Sequence, residues 1–156
     1  MRDKRWVAIH RGGQLTPGIH SQLMEWACRC AEHILLLYGP FPDQRLINAL
    51  VVAKAWNEGT ASVGEAREAA IQAHAVARES VDPVKAAVAR AAGHAVATAH
   101  MADHALGPAL YAIRAVRLAG KSVEDELNWQ FLQLTPEIFT MVTETRAMKE
   151  KGSFKI

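Results

Sequence analysis

Three histidines, His94, His100 and His104, stand in one alanine-rich stretch, RAAGHAVATAHMADHALGPAL (Arg90 to Leu110), beside Thr98 and Asp103. Imidazole switches charge near neutral pH and is a common metal ligand. Set among alanines on a packed helix, it needs a hydrogen-bond partner, a metal or a chemical role. Read as one continuous helix, His100 and His104 share a face at a spacing of four, with Asp103 one turn from His100. That pair can chelate Zn²⁺ or another divalent ion if a third ligand, His74, Glu32 or His33, arrives from another helix. On the same cylinder His94 lies roughly 120° away from His100 and stays outside such a site. No glutamate follows His100, so the H-E-x-x-H pattern of zinc proteases is absent. The competing reading is structural. His104 then meets the free carbonyls of a helix C-terminus, and His94 and Thr98 bond a polar group on a neighbouring helix.

Other chemistry is thinner. Cys28 and Cys30 sit two apart, which on a helix turns them to opposite sides, so they neither pair nor share a metal and read as buried free thiols. Glu25, Glu32 and Asp103 offer carboxylates that nothing in the sequence holds together. No glycine-rich phosphate loop follows a strand pattern. Trp26 and Trp56 occupy stripe positions expected in the core. Trp129, in ELNWQFLQL, is a candidate anchor for a partner or for packing that segment onto the domain. Phe41 and Asp43, in the Gly39–Gln44 loop, are candidate partner-binding residues, as is the C-terminal tail.

The elements that must position these residues are helices. Thr16-Pro17 pairs an N-cap with a first-turn proline and opens a helix whose stripe is Leu23, Trp26, Ala27, Cys30, Ile34 and Leu37. Gly39-Pro40-Phe41-Pro42 stops it. Asp43 caps a second helix with Leu46, Ile47, Leu50, Val51 and Trp56 facing inward, halted at Asn57-Glu58-Gly59. Ser62 with Glu65 forms a capping box that opens a third helix through about Glu79. Asp82-Pro83 starts a fourth, expected to run through the histidines to Ala102 or Leu106. Gly107-Pro108 restarts the chain, with Leu110, Ile113, Val116 and Arg117 along one side and Gly120 as the stop. Ser122 with Asp125 begins a sixth helix. Thr135-Pro136 begins a seventh carrying Ile138, Met141, Val142 and Arg146. Short connections favour antiparallel neighbours. The expected fold is therefore all-α: one compact domain over 1–156 of six to seven mostly antiparallel helices, with the Ala-rich third and fourth as central pair. Residues 1–14, a basic tail, and 148–156 are expected to be less ordered, although Trp6 to Ile9 has strand character in want of a partner.

Composition narrows the class. The 156 residues, 50% hydrophobic and 22% charged, suit one globular domain. A net charge of +2 gives no ground for a nucleic-acid partner, the cluster Arg2, Lys4, Arg5, His10 and Arg11 notwithstanding. No apolar run is long enough to span a membrane, and the charged N-terminus lacks a secretory signal's apolar core, so a reducing cytoplasm is expected.

Three consecutive segments, WACRCAEHILLLY, DQRLINALVVAKAWNEGTASVGEAREAAIQAHAVARES and ARAAGHAVATAHMADHALGPALYAIRAV, carry a resemblance, joined by the later WQFLQLTPEIFTMV. Together, over roughly Arg11 to Val142, the chain resembles the bacterial "putative immunity protein" family. The resemblance implies a small, mostly helical, cytoplasmic prokaryotic protein that neutralises a toxin by binding it. It carries no catalytic or binding residues to transfer, and the ending TETRAMKEKGSFKI departs from the family's Asp/Arg/Asn-containing C-terminal segment. The leading expectation is a protein-binding module with a protein partner, a toxin, and no cofactor. The alternatives are a helical metal-binding protein or enzyme using His100, Asp103 and His104, and a homo-oligomeric structural or regulatory protein.

Overall fold

Seven α-helices form the fold in a computed structural model that describes residues 2–151, the side chain of Lys151 excepted. They are α1 (Pro17–His33), α2 (Gln44–Asn57), α3 (Val63–Glu79), α4 (Pro83–Ala97), α5 (Leu106–Leu118), α6 (Val123–Leu132) and α7 (Pro136–Lys151). Their starts follow the local chemistry. Thr16, Asp43, Ser62, Asp82 and Ser122 each accept a hydrogen bond from a first-turn backbone N–H, and Ser62 and Glu65 complete the capping box.

Helix α4 is the axle. From Ala87 through Ala97 it is buried except at half-buried Arg90 and His94, and it packs against α1, α2, α3 and α5. Alanine makes this possible, because a thin helix lets four neighbours approach without steric conflict. By contrast α3 buries one face only, through Ala66, Ala69, Ala70, Ala73, Val76 and Ala77, and Ile71 is exposed. The expected central pair is thus one central helix with α3 and α5 against it. In α5 the inward face is again small: Ala109, Ala112, Ala115 and Val116 are buried, Leu110 and Ile113 only partly, and Arg117 is exposed. In α2, Leu46 and Leu50 are buried while Val51 faces out. In α7, Ile138, Met141, Val142 and Arg146 are buried as the spacing predicts.

The ends differ from expectation. Residues of the basic N-terminal tail are packed rather than loose. Trp6 is 3% exposed, and its indole N–H donates to Thr145 Oγ1 of α7 at 3.0 Å. Arg5 bridges Asp3 and Glu144, each at 2.7 Å. The strand-like segment finds its partner locally: Ala8 forms an isolated parallel bridge with Leu15, and Gly13 lies so close to Val7 that a Cβ there would sit 1.9 Å from its carbonyl oxygen. Burial of Trp6 and Leu15, the indole hydrogen bond and the Arg5 ion pairs together oppose the entropy cost of ordering this segment. At the other end α7 continues to Lys151, so positions 148–151 are helical and 152–156 lie outside the described residues.

Candidate functional site

The histidine stretch is not one helix. Helix α4 ends at Ala97, the chain turns through Thr98 to His100, and Met101 is extended at φ −153°. A 3-10 turn (Ala102–Ala105) then leads into α5 at Leu106. Thr98 helps to end α4 by donating its hydroxyl to the His94 carbonyl at 3.1 Å, while its own carbonyl accepts from His20 Nε2 at 2.6 Å. Pro108 becomes the third residue of α5, where its missing N–H leaves no helical bond unmade.

This break overturns the geometry expected for the histidines. His104 stands ahead of a helix start, not at a helix C-terminus, and His94 meets the residue from which a single helix would separate it. The two Nδ1 atoms are 3.2 Å apart, so one ring donates to the other. His94 also stacks on Tyr111 at 5.4 Å between centroids and meets His74 edge-on at 5.1 Å. Arg90 Nη1 donates to His74 Nδ1 at 2.8 Å, which keeps that nitrogen unprotonated. Burial, then the nearby Arg90 charge, lowers the His74 pKa to about 4. Burial, then His74, lowers that of His94 to about 3. These are neutral imidazoles locked together where α3, α4 and α5 meet.

The proposed metal set fares differently residue by residue. The rings of His100 and His104 are 5.1 Å apart at centroids, but the Asp103 carboxylate is bonded to Arg2. Among the described residues no three His, Cys, Asp or Glu side chains converge where they could hold a metal ion. The thiols are quiet too. Burial raises the pKa of Cys28 to about 12 and that of Cys30 still further, so neither is a thiolate at neutral pH.

The glycines flanking this cluster are dictated by it. A Cβ on Gly107 would lie 2.5 Å from His94 Cγ and 2.6 Å from its Cβ, and no rotamer change moves the Cβ away. Glycine to alanine inside a helix ordinarily stabilises by up to ~1 kcal/mol. Here Gly107→Ala is expected instead to destabilise by about 2 kcal/mol through overpacking, read as a lower urea midpoint at unchanged m.

Trp129 and the Gly39–Gln44 loop are exposed to different degrees. Trp129 stacks flat on His33, with centroids 3.5 Å apart at 6°, and His33 Nδ1 reaches Glu126 at 2.8 Å. One ring face is therefore used in fastening α6 to α1. Phe41 is 89% exposed and Leu36, in the 3-10 turn Leu35–Tyr38, is 87% exposed. They flank a shallow groove of about 410 Å³ between the end of α1 and the start of α2, lined by Leu35, Pro40, Pro42, Ile47, Leu50 and Val51. One charge pair, Glu32 with Lys54 at 2.6 Å, lies on its wall. Asp43, the cap of α2, is not among the lining residues; it pairs with Arg45 at 3.0 Å, and Arg45 in turn with Glu79 at 2.6 Å. Val51 had no sequence signal as a surface residue, because it shares the stripe of Leu46, Ile47 and Leu50, whereas Leu36 lies outside the stripe that ends at Leu37.

A family model described as Imm-5 like putative immunity protein matches residues 13–137. The chain belongs to that family. The match runs from Gly13 into the first two residues of α7, so the immunity-protein-like segment contains the whole α1–α2 corner, the histidine cluster and α6. No curated protein and no solved structure matches the chain. Among its described residues, no helix of this immunity-protein-like chain is long and apolar enough to cross a membrane.

Proposed function

We propose that the chain is a cytoplasmic immunity protein that binds a protein toxin and neutralises it through the α1–α2 corner. The observation that carries this reading is the joint exposure of Leu36 and Phe41 beside an apolar groove. A small protein gains nothing in stability by holding large apolar side chains in water, and contiguous apolar surface rimmed by charge is the usual form of a protein-binding patch. Family membership supplies the kind of partner. The Phe41 ring is the natural anchor, entering an apolar pocket of the toxin, and the groove accepts an apolar side chain in return. The Glu32–Lys54 pair on the groove wall, and the Asp43–Arg45–Glu79 pairs at the start of α2, set orientation and encounter rate more than affinity.

The test is co-expression with a toxin encoded beside this gene. Cells carrying the wild-type chain are expected to survive, and cells carrying Leu36→Ser/Phe41→Ser to die with the variant folded and equally abundant. Survival with the double variant would move the interface elsewhere. Light scattering of the chain alone separates this from pairing of two copies through the same corner, which predicts a dimer that the double variant makes monomeric.

A further inference from the structure

A second concave region lies beside the N-terminal part of α1, between the N-terminal segment, α2, α3 and the turn that links α4 to α5. It has a volume of about 460 Å³, within the range of small-molecule sites. Its charged wall residues are all arginines: Arg2, Arg11 and Arg67 line it beside His10, His20 and His100, with no aspartate or glutamate. Arg2 is held by Asp103, whereas Arg11 and Arg67 make no ion pair among the described residues. Unpaired guanidinium groups on a concave wall free of carboxylates complement an anion's oxygen atoms. Next to these groups Trp56 presents a partly buried ring, held at 4.8 Å from His20, on the cavity wall.

We propose that this cavity binds a small phosphate monoester bearing a planar ring, of the nucleoside monophosphate class. The phosphate meets Arg11 and Arg67, and the ring lies against Trp56. Guanidinium forks match phosphate oxygens in pairs, and an indole face accepts any heterocycle by stacking. The site is separate from the toxin-binding corner: it meets α1 at His20 where the corner meets it at Glu32, and the two share no lining residue.

Titration calorimetry with adenosine 5′-monophosphate, inorganic phosphate and adenosine tests this on the full chain. The monophosphate is expected to bind one to one, more tightly than inorganic phosphate, with no measurable heat from adenosine. Arg11→Ala/Arg67→Ala, two exposed positions whose replacement leaves the core intact, is expected to weaken binding at least about tenfold. Binding should also fall with added salt. Adenosine binding as well as its monophosphate, an unchanged affinity in the folded double variant, or no heat from the monophosphate at millimolar concentration would each overturn the proposal.

Discussion

Replacing Gln130 with alanine is expected to lower the unfolding free energy by about 4 kcal/mol, the largest single-site loss outside the apolar core. Gln130 is fully buried, at 0% exposure, and ties four helices. Its Nε2 donates to the Ala109 carbonyl of α5 at 2.9 Å and to Glu126 Oε1 at 3.2 Å. Its Oε1 accepts from Arg146 Nη1 of α7 at 2.7 Å, and its backbone carbonyl accepts the Trp26 indole N–H of α1 at 3.0 Å. Alanine keeps only the last of these. It strands a carbonyl and a guanidinium that is itself only 5% exposed, and it opens a cavity. Because the damage lies in partners left unmatched, Gln130→Leu/Arg146→Met should cost less than the two single losses added together. A coupling of about 1–3 kcal/mol in a urea-denaturation cycle is the expected readout. Strict additivity would show that Gln130 and Arg146 do not act as one network.

Stability is expected to fall steeply as pH drops from about 6.5 toward 4.5. His74 and His94 have folded pKa values lowered to about 4 and about 3 by burial and neighbouring cations. In the unfolded chain each takes a proton near pH 6.5, and in the folded chain each refuses it until far lower. The unfolded state therefore binds more protons throughout that window, and its share grows with acid. Above pH 6.5 the contribution is intact. Below it, the loss approaches about 1.4 kcal/mol per pH unit for each histidine, less for His74, whose ring is more open to solvent. His94 alone accounts for a loss on the order of 4 kcal/mol by pH 3.5. His20, His100 and His104 are shifted the same way, again chiefly by burial. The ion-paired carboxylates Asp3, Asp43 and Glu79 have lowered values, so their support is lost only below about pH 4.5 and does not blur the histidine window. Urea titrations at pH 7.0, 5.5 and 4.5 should show the slope, and His94→Gln should flatten it. A level profile between pH 7 and 5 would mean that the cluster is not buried neutral.

Much of the fold is legible in the sequence because it is written in local chemistry. The caps Thr16, Asp43, Ser62, Asp82 and Ser122 and the punctuation at Gly39-Pro40 and Gly120 act within a few residues of themselves. The break after Ala97 is different. HAVATAHMADHA holds neither glycine nor proline, and helix propensity favours continuing through it. What stops α4 is the return of α5 onto it, drawn by alanine faces far apart in sequence, with Thr98 and His20 fastening the corner. The three-histidine geometry was therefore unreadable: a continuous helix separates His94 from His104, and a folded corner joins them. The Gln130 network was equally hidden, since a glutamine, a glutamate and an arginine on helices ordinarily read as surface. Its one trace is Arg146, which shares the apolar stripe of α7 with Ile138, Met141 and Val142. The partner-facing corner was half visible. Phe41 between two prolines marked an exposed loop, but Val51 keeps the spacing of a buried stripe and reads as core.

The central claim, that the exposed α1–α2 corner is where this immunity-family chain holds its toxin, is tested most directly by an equilibrium titration of the purified pair. Wild-type chain should bind the toxin one to one, and Phe41→Ala should weaken the complex by at least about 30-fold, as expected for a central aromatic anchor. Leu132→Ala, at an equally exposed apolar position on α6, should leave it unchanged. An affinity untouched by Phe41→Ala, or lost instead with Leu132→Ala, would contradict the account.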